Sequence, residues 1–406
     1  MKPIVLLIAY YFPPDNAIGG ARPYRFYKYL KRLGYECHVF TAAAPAGEGI
    51  APDVHYVPDP LKLRPRQGLA WQAERVSWKF LQRGMHVLGW SHAAFKAGRE
   101  WMAQRKGQRV VILSSSPPLG THLAAWRLAR KFKQNWIADF RDPLHSPGGE
   151  RAPLENIIAP RLERSVLRTA NAVLANTDAM RNSWVARMPG LKEKVQVLWN
   201  GFDPEDMIDP SPLPVRNCKI WSHVGELYGG RDIRPLLHAI ERLLGSGRLP
   251  EAKLKILQVG VAEPECLPDE KFLDEAKKQG WLELREPVPA LEARKLAGNS
   301  DGLLLIQPHT AVQVPGKLFE YLRLGRPILA YVVRNSPVEH ILQQAGVPYE
   351  AFYPESTPQE IEDSLVAFWK RLSPQPSLPN SWFESTFEAS RQAGMLDRII
   401  QSLDPA

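Results

Sequence analysis

The chain has 406 residues, of which 44% are hydrophobic and 23% charged, and this length predicts two domains, or three. The composition excludes a small disulfide-stabilised protein and a wholly disordered one, because apolar residues occur throughout and only three cysteines are present. The net charge of +9 is unevenly distributed: residues 1–200 carry 30 Lys and Arg against 14 Asp and Glu, while residues 201–406 carry 22 against 29. A basic first half is typical of a protein that contacts a polyanion, which can be nucleic acid, an anionic membrane or a phosphorylated substrate.

The sequence also predicts a location in the cell. No apolar run approaches the roughly 18 residues that a membrane span needs. Met1-Lys2-Pro3 leads directly into a strand-like run, without the apolar segment of a signal peptide, so we expect the protein in the cytoplasm. Cys37, Cys218 and Cys266 are far apart and show no C-x-x-C spacing, which predicts buried reduced thiols rather than a disulfide framework or a zinc site.

Short apolar runs alternate with amphipathic segments along the whole chain. In the first half the predicted strands are Ile4–Ala9, Cys37–Thr41, Val110–Ser114, Trp136–Asp139, Ala172–Asn176 and Val195–Trp199. In the second half they are Lys219–Val224, Leu254–Val259, Gly302–Ile306 and Ile328–Val332, with helices such as Ile233–Leu244 and Leu318–Leu324 between them. This alternation predicts an α/β protein with two doubly wound domains, each a parallel sheet covered by helices on both faces.

Proline marks the predicted boundary between these domains. The segment Asn200–Arg216 contains four prolines, a composition that breaks regular structure and suits a linker or hinge. We expect residues 1–200 to form the first Rossmann-like domain and residues 201–375 the second. No strand follows the last amphipathic segment, Trp382–Leu403, so residues 376–406 are expected to be helical and to pack back on the first domain.

Gly19 and Gly20 follow the first predicted strand and precede a helix. Glycines at this place let a ligand come close to the backbone and to the N–H groups at the start of the helix. The sequence is not G-x-G-x-x-G, and Phe40-Thr41 ends the second strand where an NAD site has an acidic residue, so an NAD site is disfavoured. A plain tight turn explains the glycine pair equally well.

Further polar residues end the next strands of the first half. Asp139, Arg141 and Asp142 lie at the carboxyl end of a predicted strand, where open α/β sheets bind ligands. An internal Asp–Arg pair that closes a loop is the alternative. His122 lies one turn into the helix after Ser114-Ser115-Ser116, and a packed helix histidine is more common at such a position than a catalyst.

In the second half, Gly225–Asp232 is a glycine-rich turn between a strand and a helix, and Arg231 beside helix amides suits a diphosphate. Lys317 and Glu320 lie three residues apart on one helical face and are expected at the same edge of the sheet. A solvated pair on a helix would give the same pattern. Two cations for phosphates and one carboxylate for ribose hydroxyls predict a nucleoside-diphosphate site.

Taken in order, these motifs resemble those of GT-B fold glycosyltransferases, and specifically family 4 of retaining, nucleotide-sugar-dependent enzymes. The resemblance covers nearly the whole chain and includes the turn Gly225–Asp232 and the segment Pro315–Leu322, which is followed by Gly325-Arg326-Pro327. It implies two Rossmann-like domains that face each other across a cleft, with the donor nucleotide on the second. By position, Arg231 stands where the family's phosphate-binding Lys stands, and Glu320 where the second Glu of its E-x7-E motif holds the ribose.

Two positions depart from the family pattern. The first Glu of the E-x7-E motif falls at Val312, and the family's phosphate-contacting Arg falls at Glu226. Because the missing Glu normally contacts the donor sugar, the pattern leaves the identity of that sugar open. Lys317 is expected to replace the lost positive charge.

The resemblance implies transfer of a sugar from a nucleotide-diphosphate donor to a hydroxyl of a glycan or lipid-linked acceptor, with retention, in surface polysaccharide or lipopolysaccharide assembly. Leaving-group charge would be neutralised by Arg231, Lys317 and helix amides, without a metal or another cofactor. The predicted catalytic residues are Arg231, Lys317 and Asp139, the last of which would orient the acceptor. The predicted donor-binding residues are Gly19, Gly20, Gly225, Arg231, Lys317, Leu318 and Glu320, and the predicted acceptor-binding residues are Asp139, Arg141, Asp142 and His122.

Two other classes of function compete with an enzyme. A non-catalytic nucleotide-sugar or polyanion-binding protein could keep this fold after losing the E-x7-E pair. A nucleic-acid-binding protein would explain the basic first half, but the sequence has no recognisable nucleic-acid module, and we expect no nucleic-acid partner.

Residues 61–109 carry 11 Lys and Arg against 2 Asp and Glu. Aromatic residues are interleaved with these charges: Trp71, Trp78, Phe80, Trp90, Phe95 and Trp101. This composition predicts binding to an anionic membrane surface or a lipid-linked acceptor, and therefore a peripheral place on the inner face of the cytoplasmic membrane. The alternative is that the aromatic side chains pack on the first sheet and the basic ones are solvated.

Overall fold

The computed structural model describes residues 2–14, 18–42, 51–59, 88–144, 153–250 and 253–403. The chain forms two compact units: unit 1 consists of Met1–Asp203 and Ala389–Ala406, and unit 2 of Pro204–Glu388. Each unit contains one parallel sheet with helices, so the prediction of two doubly wound α/β domains is confirmed. The chain first passes from unit 1 to unit 2 within the proline-rich segment Asn200–Arg216.

The seven strands of unit 1 form a parallel sheet in the order β3-β2-β1-β4-β5-β6-β7. They are β1 (Ile4–Ala9), β2 (Cys37–Thr41), β3 (Val54–Tyr56), β4 (Val110–Ser116), β5 (Asn135–Phe140), β6 (Ala172–Ala175) and β7 (Val195–Val197). Every residue of β1, β4 and β5 is buried, which explains their near-continuous apolar runs. The strand order reverses between β1 and β4, the place where open α/β sheets bind ligands.

Helices cover this sheet. They are α1 (Ala21–Arg32), α2 (Leu88–Ala103), α3 (Gly120–Phe132), α4 (Pro153–Thr169) and α5 (Asp178–Arg187). Trp90 and Trp101 of α2 belong to the core of unit 1, and Phe95 is packed against it. These three aromatic side chains of the basic segment 61–109 therefore serve the fold. Residues 61–87 of that segment, which include Trp71, Trp78 and Phe80, lie outside the described residues.

Unit 2 has a six-stranded parallel sheet in the order β10-β9-β8-β11-β12-β13. Its strands are β8 (Lys219–Val224), β9 (Leu254–Val259), β10 (Leu282–Arg285), β11 (Gly302–Gln307), β12 (Ile328–Val332) and β13 (Tyr349–Phe352). Its helices are α6 (Arg234–Gly245), α7 (Glu270–Lys278), α8 (Ala290–Gly298), α9 (Lys317–Leu324), α10 (Pro337–Ala345), α11 (Pro358–Arg371) and α12 (Ser381–Phe387). The strand order reverses between β8 and β11, in the same way as in unit 1.

The predicted helical segment Trp382–Leu403 is divided by the structure. Helix α12 ends at Phe387, Glu388 adopts an extended backbone, and α13 (Ala389–Ser402) follows. Helix α12 belongs to unit 2, whereas α13 belongs to unit 1 and adds three apolar side chains to a core that contains β1. These side chains are Leu396, Ile399 and Ile400. The chain therefore passes between the units a second time.

All three cysteines are free; Cys37 and Cys266 are buried, and Cys218 is partly exposed. Among the described residues, no helix is long and apolar enough to span a membrane.

Candidate functional site

Polar side chains gather at the carboxyl ends of β8 and β11, where the strand order of unit 2 reverses. β8 ends with His223 and Val224, and the chain turns at Gly225. After β11 the chain reaches Lys317, the first residue of α9. Open α/β sheets hold their ligands at this edge, so this cluster is the candidate site.

The turn after β8 depends on two glycines. Gly225 has φ +141°, which residues with a side chain rarely adopt, and a Cβ atom there would overlap Lys317 Nζ. Gly260, directly after β9, has φ +119°, and a Cβ there would lie 2.8 Å from the carbonyl oxygen of Gly225. The glycines thus let two loops and an ammonium group meet in a space that side chains would fill.

Lys317 extends from the start of α9 into this space. Its Nζ lies 2.8 Å from His223 Nε2, and His223 Nδ1 lies 2.6 Å from Gln258 Oε1. Burial lowers the pKa of Lys317 to about 7, and the charge of Arg231 lowers it in the same direction. Burial also holds the pKa of His223 well below its usual value, so this imidazole is neutral.

Arg231 lies on the loop between β8 and α6. Its Nε donates to Gln307 Oε1 at 3.2 Å, and its guanidinium lies 4.4 Å from the ring centre of Tyr228. Burial lowers the pKa of His309 to about 4, and the charge of Arg231 contributes to this shift as it does for Lys317. Groups from the loop after β8, from the end of β11 and the loop that follows it, and from the start of α9 therefore lie around one guanidinium.

Glu320 lies one turn after Lys317 on α9, and its side chain is partly exposed. Its Oε1 accepts hydrogen bonds from Arg294 Nε at 3.3 Å and Nη2 at 3.2 Å. The predicted ribose acceptor is thus also the partner of a cation on α8. Leu318 differs from the prediction: its side chain is fully buried and its N–H donates to the carbonyl oxygen of Pro315, so it packs the helix and has no group for a donor.

Within the part of the chain that the structure describes, neither Arg231 nor Lys317 has a carboxylate within 4.0 Å. Both lie beside the amino-terminal end of α9, whose dipole also favours negative charge. Two cations with neutral hydrogen-bond partners can bind a polyanion such as a diphosphate. The described residues contain no group of three or more His, Cys, Asp or Glu side chains that could hold a metal ion.

The residues predicted for the acceptor in unit 1 form a different arrangement. Asp139 is fully buried at the end of β5, and both its oxygens accept from Arg22, at 2.7 to 3.1 Å. Ser115 Oγ donates to the same carboxylate at 2.7 Å. Arg22 also donates to the carbonyl oxygens of Leu198 and Trp199. Asp139 therefore connects α1 to the sheet. Because its carboxylate is fully buried and bonded to Arg22, it does not contact an acceptor as predicted.

His122 and Arg141 also stabilise the fold of unit 1. His122 is fully buried, its Nδ1 lies 2.8 Å from Ser114 Oγ, and burial lowers its pKa to about 3. The guanidinium of Arg141 donates to the carbonyl oxygens of Gly19 and Pro117. Neither side chain has the geometry expected for an acceptor-binding group, whereas Asp142 is partly exposed beside them.

The predicted donor-binding glycines of unit 1 are explained by packing. A Cβ at Gly19 would lie 2.7 Å from the Tyr11 ring and 2.8 Å from Arg141 Nη1. A Cβ at Gly20 would lie 3.2 Å from the backbone of Phe12. These glycines make room for parts of the protein itself, so packing accounts for them, and their assignment to the donor stays a prediction.

Four residues of the candidate site were not predicted: His223, Gln258, Gln307 and His309. Three of them are polar residues within the last two positions of buried strands, β8, β9 and β11. Polar residues at these strand ends are a signal that could have pointed to them, but Asp139 near the end of β5 shows that such a residue can also serve the fold. His309 follows β11 by two residues and carries no comparable signal.

One known protein family matches the first half of the chain in sequence. A family model described as Glycosyltransferase Family 4 matches residues 21–206, a range that lies almost entirely in unit 1. This match confirms the resemblance inferred from the motifs. No curated protein matches the chain in sequence.

Solved structures match the chain over nearly its full length. HepE from Anabaena, in complex with UDP and glucose, is 14% identical with a TM-score of 0.63, and the alignment covers 99% of this chain and 100% of that one. Sucrose-phosphate synthase from Thermosynechococcus elongatus is 12% identical with a TM-score of 0.66, over 98% of each chain. WaaG, a glycosyltransferase involved in lipopolysaccharide biosynthesis, is 14% identical with a TM-score of 0.54, over 98% of this chain and 100% of that one. These similarities establish the GT-B fold.

Proposed function

We propose that this protein is a glycosyltransferase whose nucleoside-diphosphate sugar donor binds to unit 2. The observation that carries the proposal is the convergence of Arg231 and Lys317 on the turn at Gly225, with neutral partners and at the sheet edge where ligands bind. Negative charge grows on the diphosphate as the sugar leaves. Fixed cations at this place therefore stabilise the transition state more than the intact donor.

A uridine nucleotide is the first donor to test. HepE has been solved with UDP and with UDP-glucose, which supports this choice without identifying the donor of this chain. Thermal-shift measurements with UDP, GDP, ADP and CDP would rank the nucleotides, and calorimetry would give the affinity of the best one. Stabilisation by at least one nucleoside diphosphate is expected. Failure of all of them to bind would contradict the proposal.

We propose a retaining transfer. The bond between the anomeric carbon and the phosphate oxygen breaks, the bond to the acceptor oxygen forms on the same face, and the acceptor proton passes to the departing phosphate. NMR of the product made from an α-linked donor would show an α-linked sugar. A β-linked product would contradict retention while leaving sugar transfer intact.

The alternative function, a non-catalytic protein that binds a nucleotide sugar, is suggested by a single position. Val312 stands where the resemblance expects a carboxylate that contacts the sugar, and its side chain is partly buried in the loop between β11 and α9. A binding protein would hold a nucleotide sugar without splitting it. Release of nucleoside diphosphate from a bound sugar donor, lost in the variant Lys317→Met, would favour the enzyme.

We propose a lipid-linked acceptor at an anionic membrane surface. Residues 88–134 carry nine Lys and Arg against one Glu, and exposed cations lie on both α2 and α3. Each cation near such a surface contributes about 1 kcal/mol, so binding should be reversible and weakened by salt. In liposome co-sedimentation, replacing Lys96, Arg99, Arg130 and Lys131 by Gln should reduce recovery on anionic lipid.

The matched control for this experiment replaces four exposed lysines of unit 2 by Gln: Lys271, Lys277, Lys278 and Lys370. Both variants lose the same net charge. Equal recovery of the wild-type protein on neutral and anionic liposomes, or equal losses in the two variants, would contradict a role of the α2–α3 surface.

A further inference from the structure

Gln258, His223 and Lys317 form a chain of hydrogen bonds that leads from the backbone of unit 2 to the candidate site. Gln258 Nε2 donates to the carbonyl oxygens of Gly225, at 2.9 Å, and Gly260, at 3.4 Å. Carbonyl oxygens only accept, so the –NH₂ group of the amide must face them and Oε1 must face the other way. Two backbone groups therefore fix the orientation of this side chain.

That orientation determines where the proton of His223 lies. Gln258 Oε1 lies 2.6 Å from His223 Nδ1 and can only accept, so Nδ1 carries the proton. The imidazole is fully buried and neutral, and its Nε2 therefore presents a lone pair. Lys317 Nζ lies 2.8 Å from Nε2 and donates to it.

We propose that His223 is a positioning residue: Gln258 fixes its proton on Nδ1, and its Nε2 then holds Lys317 Nζ beside Gly225, where the diphosphate of the donor would bind. This inference rests on the proposed function for the identity of the ligand. The hydrogen-bond chain itself is independent of that function.

A neutral acceptor suits this purpose better than a carboxylate. An Asp or Glu at the position of His223 would also hold the ammonium group, but it would neutralise the charge that the diphosphate needs. The imidazole lone pair orients Lys317 and leaves its positive charge available. The absence of a side chain at Gly225 keeps the space next to Nζ open.

The same arrangement makes binding depend on pH. Four groups on the surrounding elements act on Lys317: His223 at the end of β8, Glu226 and Arg231 on the following loop, and Glu320 on α9. Burial and Arg231 lower the pKa of Lys317 to about 7, while both glutamates raise it. Without ligand, Lys317 therefore loses its proton as the pH rises above 7.

A diphosphate beside Nζ would raise the pKa of Lys317 again, because it favours the charged form. Binding above pH 7 must then take up one proton, and affinity falls by up to about tenfold for each pH unit above 7. The terminal phosphate of UDP ionises with a pKa of about 6, as phosphate monoesters do, so its own charge is constant in this range. Below pH 7 Lys317 is already charged without ligand, so it no longer makes the affinity for UDP depend on pH.

The first experiment measures the tautomer directly in the full-length protein without ligand. Histidine labelled with ¹⁵N gives long-range ¹H–¹⁵N correlations that distinguish the two neutral tautomers and the imidazolium, and the signals lost in His223→Gln identify this residue. The proposal expects a neutral ring protonated on Nδ1. A ring protonated on Nε2, or on both nitrogens, would overturn it.

The second experiment measures UDP affinity by calorimetry between pH 6.5 and 9. The wild-type protein should show the decline above pH 7, and Lys317→Met should bind more weakly at pH 6.5 with a flat profile. Gln258→Leu, which leaves the imidazole in place but removes its orientation, should weaken binding by a smaller factor. His122→Leu is the control, because it removes an equally buried histidine from unit 1, and it should retain the wild-type profile.

The outcomes separate the two proposals. If the wild-type protein binds UDP with the same affinity from pH 7 to 9, the inference about Lys317 fails while the proposed donor site stands. If UDP and the other nucleoside diphosphates do not bind at any pH, the proposed function fails. The tautomer measurement then still shows whether His223 carries its proton on Nδ1, as the proposed hydrogen-bond chain requires. If Gln258→Leu binds UDP as the wild-type protein does, Gln258 has no positioning role and the hydrogen-bond chain is overturned.

Discussion

The two sheets place cations at equivalent edges and use them in opposite ways. In unit 1, Arg22 reaches the ends of the central strands and pairs with the buried carboxylate of Asp139. In unit 2, Lys317 reaches the corresponding edge and donates to the neutral ring of His223. The first six strands of unit 1 have the same order as the six strands of unit 2, so the fold does not determine this difference.

The comparison shows how the partner of a charge decides its use. A cation paired with a buried carboxylate is committed to the structure, because separating the pair leaves a buried charge without compensation. A cation held by a neutral acceptor keeps its charge for a ligand. Sequence alone indicates Lys317 at the edge of unit 2 but not Arg22 at the edge of unit 1, and only the structure shows which kind of partner each cation has.

The largest expected effect is on the stability of unit 1. Arg22→Met leaves Asp139 buried and unpaired, which should lower the free energy of unfolding by about 3–5 kcal/mol. Urea denaturation followed by circular dichroism measures this loss. The double variant Arg22→Met, Asp139→Leu should recover much of it, because both charges are then removed.

Lys317→Met is the matched change at the other edge. It removes a cation without leaving a buried carboxylate unpaired, so its effect on unfolding should be much smaller than that of Arg22→Met. Similar losses in the two variants would show that the contrast between the edges is wrong.

The next effect is on binding to unit 2. Arg231→Ala removes a charge-assisted contact worth about 1.5–3 kcal/mol, so affinity for UDP should fall about tenfold or more while the melting temperature is unchanged. Arg234→Ala is the control in calorimetry, because Arg234 lies three residues away and already pairs with Asp232. Unchanged affinity in Arg231→Ala, or equal losses in both variants, would remove Arg231 from the site.

The smallest effect is expected at Glu320. Glu320→Gln keeps the shape of the side chain and removes its charge, which should weaken nucleoside-diphosphate binding by about 1 kcal/mol, roughly fivefold. The melting temperature without ligand should not change, because the pair with Arg294 is partly exposed. If Arg294→Gln weakens binding as much as Glu320→Gln does, Glu320 acts through its ion pair rather than by contact with ribose.

The central strands could be predicted from the sequence because burial on both faces leaves an uninterrupted apolar run. The predicted bounds of β1, β2, β8, β9 and β12 are those of the structure. The strands that were missed, β3, β10 and β13, are three of the four edge strands, and no more than one residue of each is buried. The fourth edge strand, β7, was predicted as Val195–Trp199. An edge strand has one neighbour and a solvated side, so its sequence lacks the apolar run of a central strand.

The site could be predicted only in part, for a different reason. Arg231, Lys317 and Gly225 are recognisable because their chemistry and their places in glycine-rich turns are local features. Arg22 was missed, although it determines the role of Asp139, because the two residues are distant in sequence and meet only through the sheet. A local pattern shows that a charge is present; its partner depends on the tertiary structure.

The return of α13 to unit 1 has a consequence for the synthesis of the protein. Leu396, Ile399 and Ile400 cover a core that includes Val5 and Leu7 of the first strand. A ribosome adds on the order of ten residues per second. All of unit 2 is therefore synthesised before these side chains exist, which takes roughly ten seconds or more. The first domain to emerge is therefore the last to be completed, and its nascent form exposes an apolar face that chaperones would recognise until translation reaches α13.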